Sequence, residues 1–170
     1  MSSTLIQIVD EHDQPIEAST MDDAQKNGKI HRIVRVMVED PNGNILLQRR
    51  AETMTLYPGR WDCSAAGHVD QGEDYLAAAK RELAEEVGIA GAELNELGYY
   101  RTHGSFEGRQ LNRFNKAYKA VVPSETKLSL QAEEVAATKW FTPDEFKQLA
   151  GRHPDQVTDG IVEIYERFYR

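Results

Sequence analysis

The sequence predicts an α/β fold in which one mixed β-sheet is covered by helices on its faces. Three observations predict it: segments with the period-two spacing of strands recur along the chain, segments of helical period with recognisable caps stand among them, and the two kinds alternate irregularly. At 170 residues the chain can bury one sizeable core and is short for two independent ones, so one domain is expected.

Residues Thr4 to Val9 and Pro15 to Glu17 read as a short strand pair, and the polar stretch Met21 to Lys29 as a loop or weak helix. The β-branched run Ile33 to Val38 is a strand, Pro41-Asn42-Gly43-Asn44 a turn, and Ile45 to Gln48 the returning hairpin partner. A helix runs from about Asp74 to Val87 and stops at Gly88, which suits a left-handed C-terminal cap. Leu94 to Arg101 and Leu111 to Val122 are strands, the second with Phe114, Tyr118, Ala120 and Val122 on one face. Ala137 to Phe141 is a further strand. It closes on Thr142-Pro143-Asp144-Glu145, a capping box that starts a short helix. Val157, Ile161, Ile164 and Phe168 recur at helical spacing and mark an amphipathic C-terminal helix.

Composition narrows the function classes. A formal net charge of −8 disfavours a surface that coats nucleic acid. No apolar run is long enough to span a bilayer, and the N-terminal residues lack a basic start and apolar centre, so a cytoplasmic address is expected. The single cysteine, Cys63, excludes an internal disulfide framework and reads as a small buried apolar residue.

The chemistry concentrates between Gly67 and Ile89. On a helix, Glu82, Glu85 and Glu86 lie at roughly 0°, 300° and 40°, so three carboxylates share one flank, while Leu76, Leu83 and Val87 at about 100° to 140° form the stripe that docks it. Like charges so close repel, and a cation offsets that. Oxygen-only ligands suit Mg²⁺ or Mn²⁺. Arg81 is placed to hold a carboxylate with its forked guanidinium, and Gly67 and Gly72 suit a sharply bent loop whose backbone oxygen approaches a metal. An isolated acidic run is ordinarily a solvated helix face. Here Gly-x5-Glu-x7-Arg-Glu-aliphatic-x-Glu-Glu-x-Gly-aliphatic is matched at every fixed position from Gly67 to Ile89.

That stretch is the Nudix box, and the chain resembles the Nudix hydrolase family from about Ile30 to Phe168. The resemblance implies an α/β/α sandwich, with residues 30–170 as the Nudix domain and 1–29 as an N-terminal extension whose strands join it. It implies Glu82, Glu85 and Glu86 as ligands of Mg²⁺ or Mn²⁺, with the Gly67 carbonyl as a further one; Arg81 would orient a glutamate, and Glu73, Gly72 and Gly88 would shape the box. Glu82 or another box glutamate, or Glu134 in a later loop, would be the general base. Arg49, Arg50 and Arg113 are candidates to grip substrate phosphate. The expected reaction is hydrolysis of a diphosphate linkage in a small nucleotide-like substrate, a nucleoside diphosphate linked to another moiety, with no nucleic acid or membrane partner. A homodimer through the edge of the N-terminal strands is left open.

Two alternatives stay beside it. Leu46 to Arg50, Tyr57 to Trp61 and Gly67-His68 also resemble the type I isopentenyl diphosphate isomerases, which share the fold. Their catalytic cysteine, however, immediately precedes that glycine, where this chain has Ala66. Of their metal ligands, His31 and His68 match two histidines, Ala24 replaces another, and the glutamates fall near Leu111 and Arg113. The second alternative is a Nudix-like domain that senses a nucleotide without catalysis.

Overall fold

The computed structural model describes residues 4–170. The N-terminal hairpin β1 (Ile6–Val9) and β2 (Pro15–Ser19) leads into α1 (Met21–Asn27), so the polar stretch is a helix after all. Thr20 caps its start and Gly28, at φ 66°, its end. The β3 (His31–Glu39) and β4 (Ile45–Arg50) hairpin follows, then two short strands that the sequence did not announce, β5 (Trp61–Asp62) and β6 (Ala65–His68). Next come α2 (Tyr75–Val87), β7 (Asn95–Phe106), β8 (Arg109–Val121), β9 (Val135–Phe141), α3 (Pro143–Arg152) and α4 (Asp159–Phe168). The β7–β8 hairpin is longer than expected because Glu107 and Gly108 both take positive φ, 47° and 79°, and turn the chain in two residues.

β3 is the central strand. It pairs antiparallel with β1, β6 and β4 at successive points along one edge, and parallel with β8 along all of the other. Alternation divides its side chains. Val34, Val36 and Val38 meet Ala78, Ala79, Leu83 and Val87 of α2 on one face. Met37, with Ile45, Leu47 and Ala117, meets Phe146, Ile161 and Ile164 of α3 and α4 on the other. The result is an α/β/α sandwich. Burial of each large apolar side chain contributes roughly 1.5–3 kcal/mol, which is what clamps α2 to the sheet.

The docking stripe of α2 differs from the expected one. Leu76 is 40% exposed, whereas Glu82 and Glu86 are buried. The inward face is rotated toward the glutamates because Ala78 and Ala79 permit close approach to the sheet, while Leu76, in the first turn, lies outside the core cluster. Gly67 is also not in a loop: it lies within β6, opposite Val34 of β3. Among the described residues no helix is long and apolar enough to cross a membrane.

Candidate active site

α2 begins at Asp74, whose side chain accepts from the Ala77 N–H, and ends at Gly88 at φ 76°. That left-handed position disfavours a side chain. Between these caps the box residues form one wired unit around Arg81. Its guanidinium donates to both Glu73 oxygens at 2.8 and 3.0 Å, to Glu82 at 2.7 Å, to the His68 carbonyl at 3.0 Å and to Glu85 at 3.4 Å. Burial pushes the Glu73 carboxyl up, but the bonds from Arg81 and from the Asp70 N–H outweigh it and hold the group below its ordinary value.

Glu82 and Glu86 point inward. A β-carbon on Gly67 would overlap the Glu82 carboxyl group, so with any larger residue Glu82 would have to shift, and this close approach rather than a bend is what glycine serves there. Burial pushes the Glu82 carboxyl up to about 7 against the opposing pull of Arg81, helped by repulsion from Glu134 and Glu85. Glu86 is raised well above the carboxylate range, by burial first and then by Glu82. Its oxygens accept from Gln48 Nε2 at 3.0 Å and the Ala66 N–H at 2.9 Å. Glu134 also acts on Glu86. Its loop is tied to the end of the box helix, the Ser129 and Gln131 N–H groups donating to the Val87 and Glu86 carbonyls. Glu133 is exposed.

Glu85 turns outward, its side chain 51% exposed and paired with Arg81. The three box carboxylates therefore share a flank of the helix without converging, and among the described residues no group of three acidic, histidine or cysteine side chains is arranged around one point. The donor set nevertheless fits a hard divalent cation: two buried carboxylates, oxygen ligands only, and one guanidinium against Glu82, Glu85 and Glu73 together.

A family model described as the NUDIX domain matches residues 29–160. The chain belongs to the Nudix family. An uncharacterized Nudix hydrolase of Yersinia pestis is 35% identical over 140 residues, covering 82% of this chain and 74% of that protein. An isopentenyl-diphosphate delta-isomerase of Nocardia farcinica is 32% identical over 164 residues, 95% of this chain and 92% of that one. The crystal structure of DR0079 from Deinococcus radiodurans shares the fold, with a TM-score of 0.81 at 21% identity over 98% of this chain and 99% of that one. Fold and box together make this a Nudix pyrophosphohydrolase.

The three arginines expected at substrate phosphate are not brought together. Arg49 stays partly in solvent, 3.8 Å from Glu52. Arg50 is spent on the Leu56 carbonyl at 2.8 Å and on Asp62 at 3.5 Å. Arg113 is buried on the sheet face away from α2. Tyr57 packs against Phe106 and Trp61 against Phe141.

Of the positions aligned with isomerase ligands, two keep their histidines, while Ala24, Leu111 and Arg113 stand at the others. The His31 and His68 rings lie 5.2 Å apart. Burial and the Arg113 charge push His31 down to about 4; burial, His31 and then Arg113 lower His68 well below its usual value. A guanidinium now faces these histidines from β8. Cys63 is fully buried, and burial raises its thiol far above the reactive range.

Gln48 and the Ala66 N–H were missed by the sequence reading. A glutamine at the end of the apolar run Ile45 to Leu47 was the available signal, since a polar side chain on a buried strand position needs a partner.

Proposed function

We propose that this Nudix enzyme hydrolyses a diphosphate linkage in a small nucleotide-like substrate with the help of Mg²⁺ or Mn²⁺. The observation that carries the reading is the buried Glu82–Glu86 pair, pressed against Gly67 and faced by Glu134, with too little protein cation to balance it. Glu82, Glu85 and Glu86 would hold the ion together with the Gly67 carbonyl; Glu85 reaches it by releasing Arg81, a side-chain rotation available to an exposed residue. When bound, such an ion neutralises phosphate oxygens and acidifies water. Arg81 fixes Glu82 and Glu73 and so orients the carboxylates before substrate arrives. Glu134, half-buried on a loop bonded to the Glu86 carbonyl through Gln131, takes the proton from the attacking water as general base. Glu82 is the second candidate for that proton.

The test is product release from a panel of nucleoside diphosphate derivatives with Mg²⁺ or Mn²⁺. Glu85→Gln and Glu86→Gln are each expected to lose activity by roughly 100-fold or more. Unchanged turnover in both would overturn the reading. The likeness to the Nocardia farcinica isomerase favours a second reading, opposed by Ala66 and by the Arg113 charge beside His31 and His68. Interconversion of the two five-carbon diphosphates by the purified protein would establish it.

A further inference from the structure

On the opposite face of the sheet from Glu82 lies a cavity of about 280 Å³ between β3, β7, β8 and the first turn of α4, lined among others by Arg35, Tyr100, Arg113, Asn115 and Gly160. Two features of it are unusual. Arg113 is 5% exposed, yet among the described residues its side chain makes no hydrogen bond or ion pair, and its Nε is buried without an acceptor. The Tyr100 hydroxyl on the same wall is also buried and unpartnered. Arg35, by contrast, is satisfied by Asn115 at 3.2 Å and Asp62 at 3.9 Å.

An unpaired buried guanidinium is costly, and proteins ordinarily keep one only for a partner. The local charge leaves that partner missing. Arg35 and Arg50 share Asp62, so three guanidiniums face the carboxylates of Asp62 and Asp159, and the two nearby histidines are neutral. Glu163, at the rim, is neutralised by Arg167 at 2.6 Å. α4 adds a third element. Asp159 and Gly160 are its first two residues, whose backbone N–H groups have no acceptor within the helix, and both line the cavity. A side chain on Gly160 would overlap the Arg35 guanidinium, which keeps this helix end close to the arginine.

We propose that this cavity is an oxyanion-binding site, in which Arg113, the Tyr100 hydroxyl and the start of α4 hold a phosphate or carboxylate group. It has room for a small anion with several waters. It stands apart from the box carboxylates, and binding there needs neither divalent metal nor hydrolysis.

The experiment is calorimetric and thermal titration of the full chain with inorganic phosphate, and separately with succinate, in buffer containing a chelator and no other oxyanion. Saturable binding and a rise in Tm are expected with at least one of the two, and the stronger ligand identifies the group. Arg113→Met is expected to weaken binding roughly tenfold or more, while Arg113→Lys, which keeps the charge but not the fork, falls between. Without anion, Arg113→Met should melt at or above the wild-type temperature, because it removes a charge with no partner. The proposal is overturned if neither anion binds, if both variants bind as the wild type does, or if Arg113→Met is destabilised in anion-free buffer.

Discussion

The Glu82 carboxyl group occupies the space that a β-carbon on Gly67 would need. A helix side chain and a strand backbone thus share one small volume. Gly67→Ala is expected to push Glu82 off its bond to Arg81, destabilise the fold by about 1–3 kcal/mol and remove most of the hydrolysis. Thermal melts with turnover assays check this, and wild-type values on both counts would show that Glu82 has room to move.

Arg81 connects Glu73, Glu82 and the His68 carbonyl, which belong to the loop before α2, to α2 itself and to β6. Arg81→Ala should weaken metal affinity or activity by about 10- to 100-fold, the usual cost of losing a group that orients ligands. Arg81→Lys should restore only part, because an ammonium cannot serve three acceptors in the same fork. Metal titration of both variants decides it.

Placing the general base at Glu134 predicts that Glu134→Gln lowers kcat by about 100-fold with metal affinity nearly intact. If kcat instead falls only in Glu82→Gln, the base is Glu82.

His31 is held neutral down to about pH 4 by burial and by Arg113. In the unfolded chain its imidazole takes a proton near its ordinary value of 6.5. Between those values the unfolded state binds the additional proton, so this contribution to stability is present above about 6.5 and is lost as pH falls toward 4. The full loss is of order 3 kcal/mol. NMR titration should show the His31 ring resonances unmoved from pH 7.5 to 5.5, and a midpoint near 6.5 would contradict the buried environment.

Asp13 sits at φ 60° and ties the N-terminal extension to the rest: it accepts from Arg32 at 2.6 Å, from Tyr75 at 2.8 Å and from Tyr99 at 2.7 Å. Asp13→Ala leaves those donors unmatched and should cost about 2 kcal/mol. Denaturant unfolding measures it, with hydrogen exchange in residues 6–19 expected to rise.

Most of the frame was legible in the sequence because local signals specified it. The β3–β4 hairpin announced its own turn, the Thr142 box its helix, and the Gly67 to Ile89 spacing its family. The illegible parts depend on partners distant in sequence. β5 and β6 are too short to show a period, and only pairing with β4 and β3 makes them strands. Leu76 has the right helical angle for the core, but angle alone does not say how far the sheet extends beneath the first turn. Arg35 interrupts the apolar run Ile33 to Val38, and the site of Arg113 emerges only when β8 lies alongside β3. The outward turn of Glu85 is likewise decided by Arg81, one turn earlier on the helix.

The parallel pairing of β3 with β8 has a kinetic consequence. Residue 31 meets residue 113, and the same offset of 82 holds along all nine pairs of that ladder. During synthesis, the first hairpins and the box helix leave the ribosome well before that edge of the central strand has a neighbour. Closing so long a loop is entropically slow, so a folding intermediate with one open sheet edge is expected, and it is the stage at which self-association would compete with completion.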